Sequence, residues 1–185
     1  MTRCCCCSTA GKTPPASADA IIACDLVVAS SGDALVMFDK ERTAVVANHD
    51  VTPTKEIIEN RNVRFDPDLL SARVRARSKS FAATNAEALA EHHFGDAIYT
   101  NMIMLGMAWQ NGLIPISDTA IYEANRLTKV KLKENAAALD LGRIAAANPD
   151  AIQAAAPKRP EIEPLKLDEL IARRAEMLKA YQNPA

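Results

Sequence analysis

The sequence predicts an α/β fold: a three-layer arrangement with a mostly parallel sheet, flanking helices and a helical C-terminal portion. Residues 21–29 and 43–48 are short runs rich in Val, Ile and Ala, which is typical of buried strands. Helical patterns separate such runs, and strands that alternate with helices form parallel sheets through crossover connections. The chain has 185 residues, of which 49% are hydrophobic and only 4% aromatic. This composition favours close-packed helices over a β-sandwich built on large side chains.

The first half of the chain supplies the sheet and the helices that connect its strands. Ser30 to Asp33 open the first of these helices, and Thr84 or Asn85 caps the last. The predicted elements, in order, are a strand over 21–29, a helix over 34–38, a strand over 43–48, a helix over 69–77, a strand over 79–84 and a helix over 85–94.

After Gly95 the sequence predicts helices alone. Residues 97–111 are apolar on almost every side, so this helix is expected to be buried, with Gly112 at its C-terminal end. Ser117 is the expected N-cap of the next helix. The remaining predicted helices are 118–127, 129–147 and 166–181, the last of which is amphipathic.

Composition suggests three regions. Residues 1–18 are small, polar and contain Pro, so they are predicted to be a disordered leader. Residues 19–156 form the domain, and residues 157–185 form a proline-rich linker and a C-terminal helix. Three strands and six unclustered glycines are few for a doubly wound domain, which normally starts with a strand and a Gly-rich turn. The domain is therefore expected to be incomplete at its N-terminus.

Charge and hydropathy exclude several classes of protein. Lys and Arg number 22 and Asp and Glu number 23, so no global field would attract nucleic acid or an anionic membrane. No apolar run approaches the roughly 18 residues that span a bilayer. The first residues do not form a secretory signal, because Pro14 and Pro15 interrupt them. A cytoplasmic protein is expected.

The cysteines and histidines do not predict a metal site. Cys4 to Cys7 are consecutive, whereas structural metal sites space their ligands, and adjacent side chains point apart. Cys24 lies in an apolar run, which favours a buried and inert thiol. His92 and His93 diverge by about 100° around a helix, so they cannot share one metal ion.

Two segments allow both a ligand-binding and a structural interpretation. His49 and Asp50 follow a predicted strand and either contact a ligand at the edge of the sheet or form a turn. A basic run either meets a phosphate group of a ligand or forms a solvated face. It contains Arg73, Arg75, Arg77 and Lys79.

Residues 94–115, FGDAIYTNMIMLGMAWQNGLIP, carry a Gly-Asp, an Asn-Met, a Leu-Gly and a Gly-Leu-x-Pro turn. Asn135, Leu141-Gly142-Arg143 and the run ACDLVVA at 23–29 add to this pattern. Together they resemble the gamma-type domain of 2-oxoacid:ferredoxin oxidoreductases, in particular the indolepyruvate ferredoxin oxidoreductases. The likeness extends over nearly the whole chain beyond the leader.

The resemblance implies oxidative decarboxylation of an aryl 2-oxoacid to an acyl-CoA with reduction of ferredoxin. The complete enzyme is expected to use thiamine diphosphate, iron–sulfur clusters and coenzyme A. The chain has no Gly-Asp-Gly…Asn-Asn thiamine motif and no spaced cysteine cluster, so it is expected to hold no cofactor itself. Its expected partners are thiamine-binding and iron–sulfur domains or subunits, with ferredoxin an indirect partner. The first hypothesis is thus a fragment or subunit that is inactive alone. The alternative is a non-catalytic helical interaction module.

Two residues of the resembling stretch are candidates for the vicinity of coenzyme A or thiamine, or for an interface between domains. Asp96 either serves there or caps the helix that follows it. Asn101 is an amide in an apolar helix and is expected to need partners, either a neighbouring loop or the thiamine-bearing domain. Gly106 is expected to allow close packing of helices.

Overall fold

A computed structural model describes residues 13–51, 66–150, 152 and 167–181. Cys4 to Cys7 and the prolines of the predicted linker, Pro157, Pro160 and Pro164, lie outside the described residues. Within the described ranges no helix is both long enough and apolar enough to cross a lipid bilayer.

The centre of the fold is a parallel sheet of three strands among the described residues, in the order β1-β2-β3. The strands are β1 (Ala20–Ala23), β2 (Ala44–Asn48) and β3 (Ser80–Thr84). Ile22, Val46 and Ala82 stand side by side in the register, and Ile21, Val45 and Phe81 do so one step earlier. Because successive side chains of a strand point to opposite faces, these two rows define the two sides of the sheet.

The row of Ile21, Val45 and Phe81 faces the helices that connect the strands. These are α1 (Leu26–Ala29), α2 (Gly32–Leu35) and α3 (Pro67–Arg75). Their buried side chains, including Leu26, Leu35 and Val74, pack with this row in one hydrophobic core.

The row of Ile22, Val46 and Ala82 faces a second helical layer and a second core. This layer contains α4 (Ala86–Phe94), a 3₁₀ turn (Ala97–Tyr99), α5 (Thr100–Gln110) and α7 (Leu132–Ala147). The helix α6 (Asp118–Thr128) packs on α7, and α8 (Leu167–Tyr181) is the last described helix. The three-layer α/β architecture and its helical C-terminal portion are confirmed.

The prediction of one strand over residues 21–29 is wrong after Ala23. The Oδ1 atom of Asp25 accepts hydrogen bonds from the amides of Val27 (2.8 Å) and Val28 (3.2 Å). These bonds satisfy the first amides of α1, so the apolar run changes from strand to helix at Asp25.

The predicted helix over 34–38 lies two residues too late, because Ser31 is the N-cap of α2 and accepts from the amide of Ala34. The helix predicted over 129–147 begins at Leu132, since Lys129 and Lys131 have left-handed backbone conformations. The remaining predicted elements agree with the structure to within two residues, except that 97–99 form the 3₁₀ turn.

The leader predicted to be disordered up to residue 18 includes residues that belong to the fold. The amide of Ala16 donates to the carbonyl of Val36 (2.9 Å), and that of Ala18 donates to Met37 (3.2 Å). Ala18 is buried, and its carbonyl accepts from the hydroxyl of Thr43 (2.6 Å). The prediction is therefore wrong for residues 16–18.

The tightest packing in the described part of the chain joins α5 to α7. A Cβ atom added to Gly106 would overlap the carbonyl oxygen of Leu139 on α7. One added to Gly142 would overlap the carbonyl oxygen of Ile103 on α5. Each helix thus presents a glycine to the backbone of the other, which confirms the expected role of Gly106.

We predict that Gly106→Ala and Gly142→Ala each lower the free energy of unfolding by about 3 kcal/mol, the upper range for overpacked cores. Alanine is about 1 kcal/mol better than glycine inside a helix, but here the methyl group meets backbone that cannot rotate away. Urea denaturation measures the change.

Gly32→Ala is the matched control, because an added Cβ at Gly32 has no atom within 4 Å. It is expected to leave stability unchanged or to raise it slightly. If Gly106→Ala and Gly32→Ala had the same stability, the close approach of α5 and α7 would be refuted.

Candidate functional site

The carboxyl ends of the three parallel strands meet at one edge of the sheet, where open α/β folds bind ligands. Cys24 follows β1, Asn48 to Asp50 complete and follow β2, and Asn85 follows β3. His49 and Asp50, for which the sequence allowed either a ligand contact or a turn, therefore lie at this edge.

Asn48 joins the ends of the strands to the second helical layer. It is 2% exposed, and its Oδ1 atom accepts from the amide of Ala86, the first residue of α4, at 3.0 Å. Its Nδ2 atom donates to the carbonyl of Cys24 at 3.5 Å. A buried amide whose donor and acceptor are both used in this way is a structural tie.

Asp50 caps the N-terminus of α4. Its Oδ2 atom accepts from the amides of Glu87 and Ala88, both at 3.1 Å. The positive end of a helix dipole attracts anions, and here the chain's own carboxylate takes that place. Thr84 or Asn85 is the predicted cap. Asn85 occupies the N-cap position but makes no side-chain bond to the helix, and Asp50 caps the helix instead, so that prediction is corrected.

His49 lies between Asp50 and Asn48 and contacts α3. Its Nδ1 atom is 3.1 Å from the hydroxyl of Ser71, and its Nε2 atom is 3.5 Å from a carboxylate oxygen of Asp68. These residue types also form catalytic triads, but Ser71 is 5% exposed inside a helix and the side chain of Asp68 is 90% exposed. A buried hydroxyl cannot reach a substrate, so the contact holds the end of β2 against α3.

The candidates from the resembling stretch lie on the second helical layer and make none of the hydrogen bonds described at this edge. Asp96 caps the 3₁₀ turn, because its Oδ1 atom accepts from the amide of Ile98 at 3.0 Å. Asn101 is exposed, so the expectation of an amide inside an apolar environment is wrong. It lies in the first turn of α5, where the fully buried positions begin only at Ile103. A role of Asp96 or Asn101 near a cofactor stays a prediction.

A polar cluster joins α5, α6 and α7. The phenol of Tyr122 donates to Oδ1 of Asp140, and Arg143 Nη1 donates to the same oxygen at 3.1 Å. The guanidinium of Arg143 lies 4.8 Å from the centre of the Trp109 ring, a cation–π distance. Burial, and then the bond to Asp140, raises the pKa of Tyr122 above its ordinary value.

Sequence reasoning missed the roles of Tyr122 and Asp140 in this cluster. The available signal was the i, i+3 spacing of Asp140 and Arg143, which places both side chains on one face of a helix.

Beside the cluster lies an open groove of about 390 Å³ between the end of α4 and α7. Its lining residues are His93, Phe94, Ala137, Asp140, Leu141 and Ile144.

The other predicted site residues have structural or solvated positions. The basic run of Arg73, Arg75, Arg77 and Lys79 is exposed, in agreement with a solvated face, and Arg75 lies over the ring of Phe81. Cys24 is half-buried rather than fully buried. Among residues 13–51, 66–150, 152 and 167–181, no three His, Cys, Asp or Glu side chains are grouped so that they could hold a metal ion.

Comparison with known proteins gives one family. The model of the pyruvate ferredoxin/flavodoxin oxidoreductase family matches residues 15–145, which include the sheet, α4, α5, α6 and most of α7. No curated protein and no solved structure matches the chain.

We predict that Asn48→Ala lowers the free energy of unfolding by about 1–3 kcal/mol, because the buried amide of Ala86 loses its acceptor. Asn85→Ala is the control: this neighbouring side chain is exposed and makes no capping bond, so the change should stay within about 0.5 kcal/mol. Thermal and urea unfolding measure both variants. Equal losses in the two would show that Asn48 is not the tie described.

We predict that the stabilising contribution of Tyr122 disappears at high pH. Its pKa is higher in the folded chain than the 10.0 of a free phenol, so the contribution is complete below about pH 10 and is lost as the pH rises through the folded pKa. The stability difference between the wild type and Tyr122→Phe should therefore be constant up to about pH 10 and shrink as the pH rises above it. A difference that stays constant or grows above about pH 10 would contradict the raised pKa.

Proposed function

Because the chain belongs to the pyruvate ferredoxin/flavodoxin oxidoreductase family, we propose that it works as a docking component of a 2-oxoacid:ferredoxin oxidoreductase of the indolepyruvate type. In this proposal the chain is a subunit or fragment that catalyses nothing alone. The complete enzyme oxidises and decarboxylates an aryl 2-oxoacid, forms an acyl-CoA and passes electrons to ferredoxin.

The observation that supports a docking role is what the residues of the resembling stretch do in the structure. Gly106 and Gly142 bring α5 and α7 into backbone contact, and Arg143 packs on Trp109. Asp96 caps a turn. Residues of the resembling pattern thus join α5 and α7 into one closely packed helical layer, and such a layer is suited to holding a neighbouring domain.

The donor groups of the described residues do not fit the expected cofactors. An iron–sulfur cluster needs several cysteine thiolates, and Cys24 is the one cysteine of the described ranges. Thiamine diphosphate needs a site for its diphosphate, and the helix N-terminus at the carboxyl edge of the sheet is filled by Asp50. We therefore propose that partner domains or subunits hold thiamine diphosphate and the clusters, and that coenzyme A takes part in the complete enzyme.

The indolepyruvate type rests on the pattern of residues 94–115, whereas the matched family is defined more broadly. A non-catalytic helical interaction module remains the second candidate. It is favoured by α8, where Leu167, Ile171 and Leu178 are 57–70% exposed.

Co-expression of the chain with the thiamine-binding and iron–sulfur chains of a 2-oxoacid:ferredoxin oxidoreductase from the same source tests the proposal. We expect a complex that reduces ferredoxin with indolepyruvate and coenzyme A, and no turnover by the purified chain supplied with thiamine diphosphate and coenzyme A. Gly142→Ala should lower the yield of the complex, because it disturbs the helical layer, and Gly32→Ala should not.

Two results would refute the proposal. Ferredoxin reduction by the chain alone would show that it holds its own cofactors. Failure to co-purify with the other chains would favour the interaction module. Comparison of pyruvate with indolepyruvate as substrates of the complex tests the finer assignment.

A further inference from the structure

We infer that the turn between α6 and α7, residues 126–133, is a docking surface for a carboxylate-rimmed apolar pocket on a partner chain. We call these residues the basic turn. The inference rests on the proposed function, because the partner is another chain of the same oxidoreductase.

Apolar side chains project from the basic turn into solvent. Leu127 is 70% exposed and Val130 is 62% exposed. The turn lies beside the 3₁₀ turn, since the Lys131 ammonium is 5.2 Å from the centre of the Tyr99 ring, and Ile98 there is 66% exposed. Large apolar side chains that share one exposed surface are typical of a protein interface.

The basic turn also concentrates positive charge. Residues 126–133 contain four cations and no acidic residue. Arg126 pairs with Glu123 at 2.9 Å. In the described part of the chain Lys129 and Lys133 are exposed and form no ion pair, so both charges are available to a partner.

The local sequence of the turn is unfavourable for folding. Lys129 has φ 57° and Lys131 has φ 43°, in the left-handed region that favours glycine. Lys131 is also the N-cap of α7 and makes no capping bond, where Ser, Asp or Asn is preferred. Lys131 and Lys133 place positive charge at the positive end of the α7 dipole, which Glu134 only partly offsets.

Lys129 and Lys131 thus depart from both backbone and capping preferences at one exposed place. Such a combination suggests that these residues serve a function other than stability. Glycine at 129 and a polar cap at 131 would suit the backbone better. Lysines there make sense if a partner uses their charge.

Side-chain bonds fix the shape of the basic turn before any partner arrives. Asn125 Nδ2 donates to the carbonyl of Leu132 at 3.0 Å, and Asn135 Nδ2 donates to that of Val130 at 3.1 Å. The hydroxyl of Thr128 donates to the carbonyl of Asn125 at 2.7 Å. A surface held in one conformation loses little entropy on binding.

These features together define the chemistry of the partner. Leu127 and Val130 need an apolar pocket, and the surrounding lysines need carboxylates at its rim. Such rim charges speed association and are sensitive to salt, while the apolar centre supplies affinity. An anionic polymer would use the lysines but leave the leucine and the valine in water, so a protein partner fits better.

The test uses the complex of the full chain with the thiamine-binding and iron–sulfur chains. We expect Lys129→Glu/Lys133→Glu to weaken assembly at least 10-fold, and Leu127→Ser to weaken it several-fold, measured by titration of the labelled chain. Added salt should weaken the wild-type complex more than the Lys129→Glu/Lys133→Glu complex. Lys40→Glu is the control, because Lys40 is an exposed lysine before β2, and this variant should assemble like the wild type.

Lys129→Gly separates binding from folding. It relieves the left-handed backbone, so it should raise Tm, and it removes a charge, so it should weaken assembly. A variant that is more stable and yet binds less cannot owe its weaker binding to unfolding.

Three results would overturn the inference. If the complex forms and none of the turn variants changes its affinity, the inference fails and the proposed function stands. If no complex forms with the wild-type chain, both fail. If the chain binds phosphatidylglycerol vesicles and loses this binding in Lys129→Glu/Lys133→Glu, the turn faces a lipid surface instead of a protein.

Discussion

The close approach of α5 and α7 at Gly106 and Gly142 is the constraint on which the helical layer depends. Since each glycine faces the backbone of the opposite helix, α5 and α7 approach more closely than any side chain would permit. In this arrangement α5 packs on β1 and β2, and α7 packs on α6. Arg143, one residue after Gly142, then reaches Trp109 on α5, so the polar cluster is a consequence of the same crossing.

At the carboxyl edge of the sheet, side chains of the protein itself occupy the hydrogen-bond donors at the start of α4. Asn48 and Asp50 take the amides at the start of α4, which in an open α/β fold would be free to hold a ligand's phosphate. His49 adds a contact to α3. One three-residue segment therefore fastens the sheet to both helical layers, and its polar groups serve cohesion instead of chemistry.

Much of the fold was predictable, because local patterns decide it. β2, β3 and α4 follow from runs of Val and Ala and from helical spacing, and they lie within one residue of prediction. The end of β1 was missed because the bonds of Asp25, and not hydropathy, decide where α1 begins. The capping of α4 by Asn48 and Asp50 joins residues 37–38 positions apart, which no local pattern indicates. Only the presence of polar residues at that edge was predictable.

The distribution of well-packed and unfavourable features indicates which surface faces a partner. The carboxyl edge and the α5–α7 crossing satisfy their polar groups and bury their side chains. In the turn between α6 and α7, by contrast, Lys129 and Lys131 have left-handed backbone conformations, and the side chains of Leu127 and Val130 are exposed. Three side-chain hydrogen bonds nevertheless hold this turn in one conformation. Glycine at 129 or a polar cap at 131 would lower those costs by single substitutions. The proposed interaction gives a reason for lysines at these positions, and it uses the exposed Leu127 and Val130 that the buried surfaces do not offer.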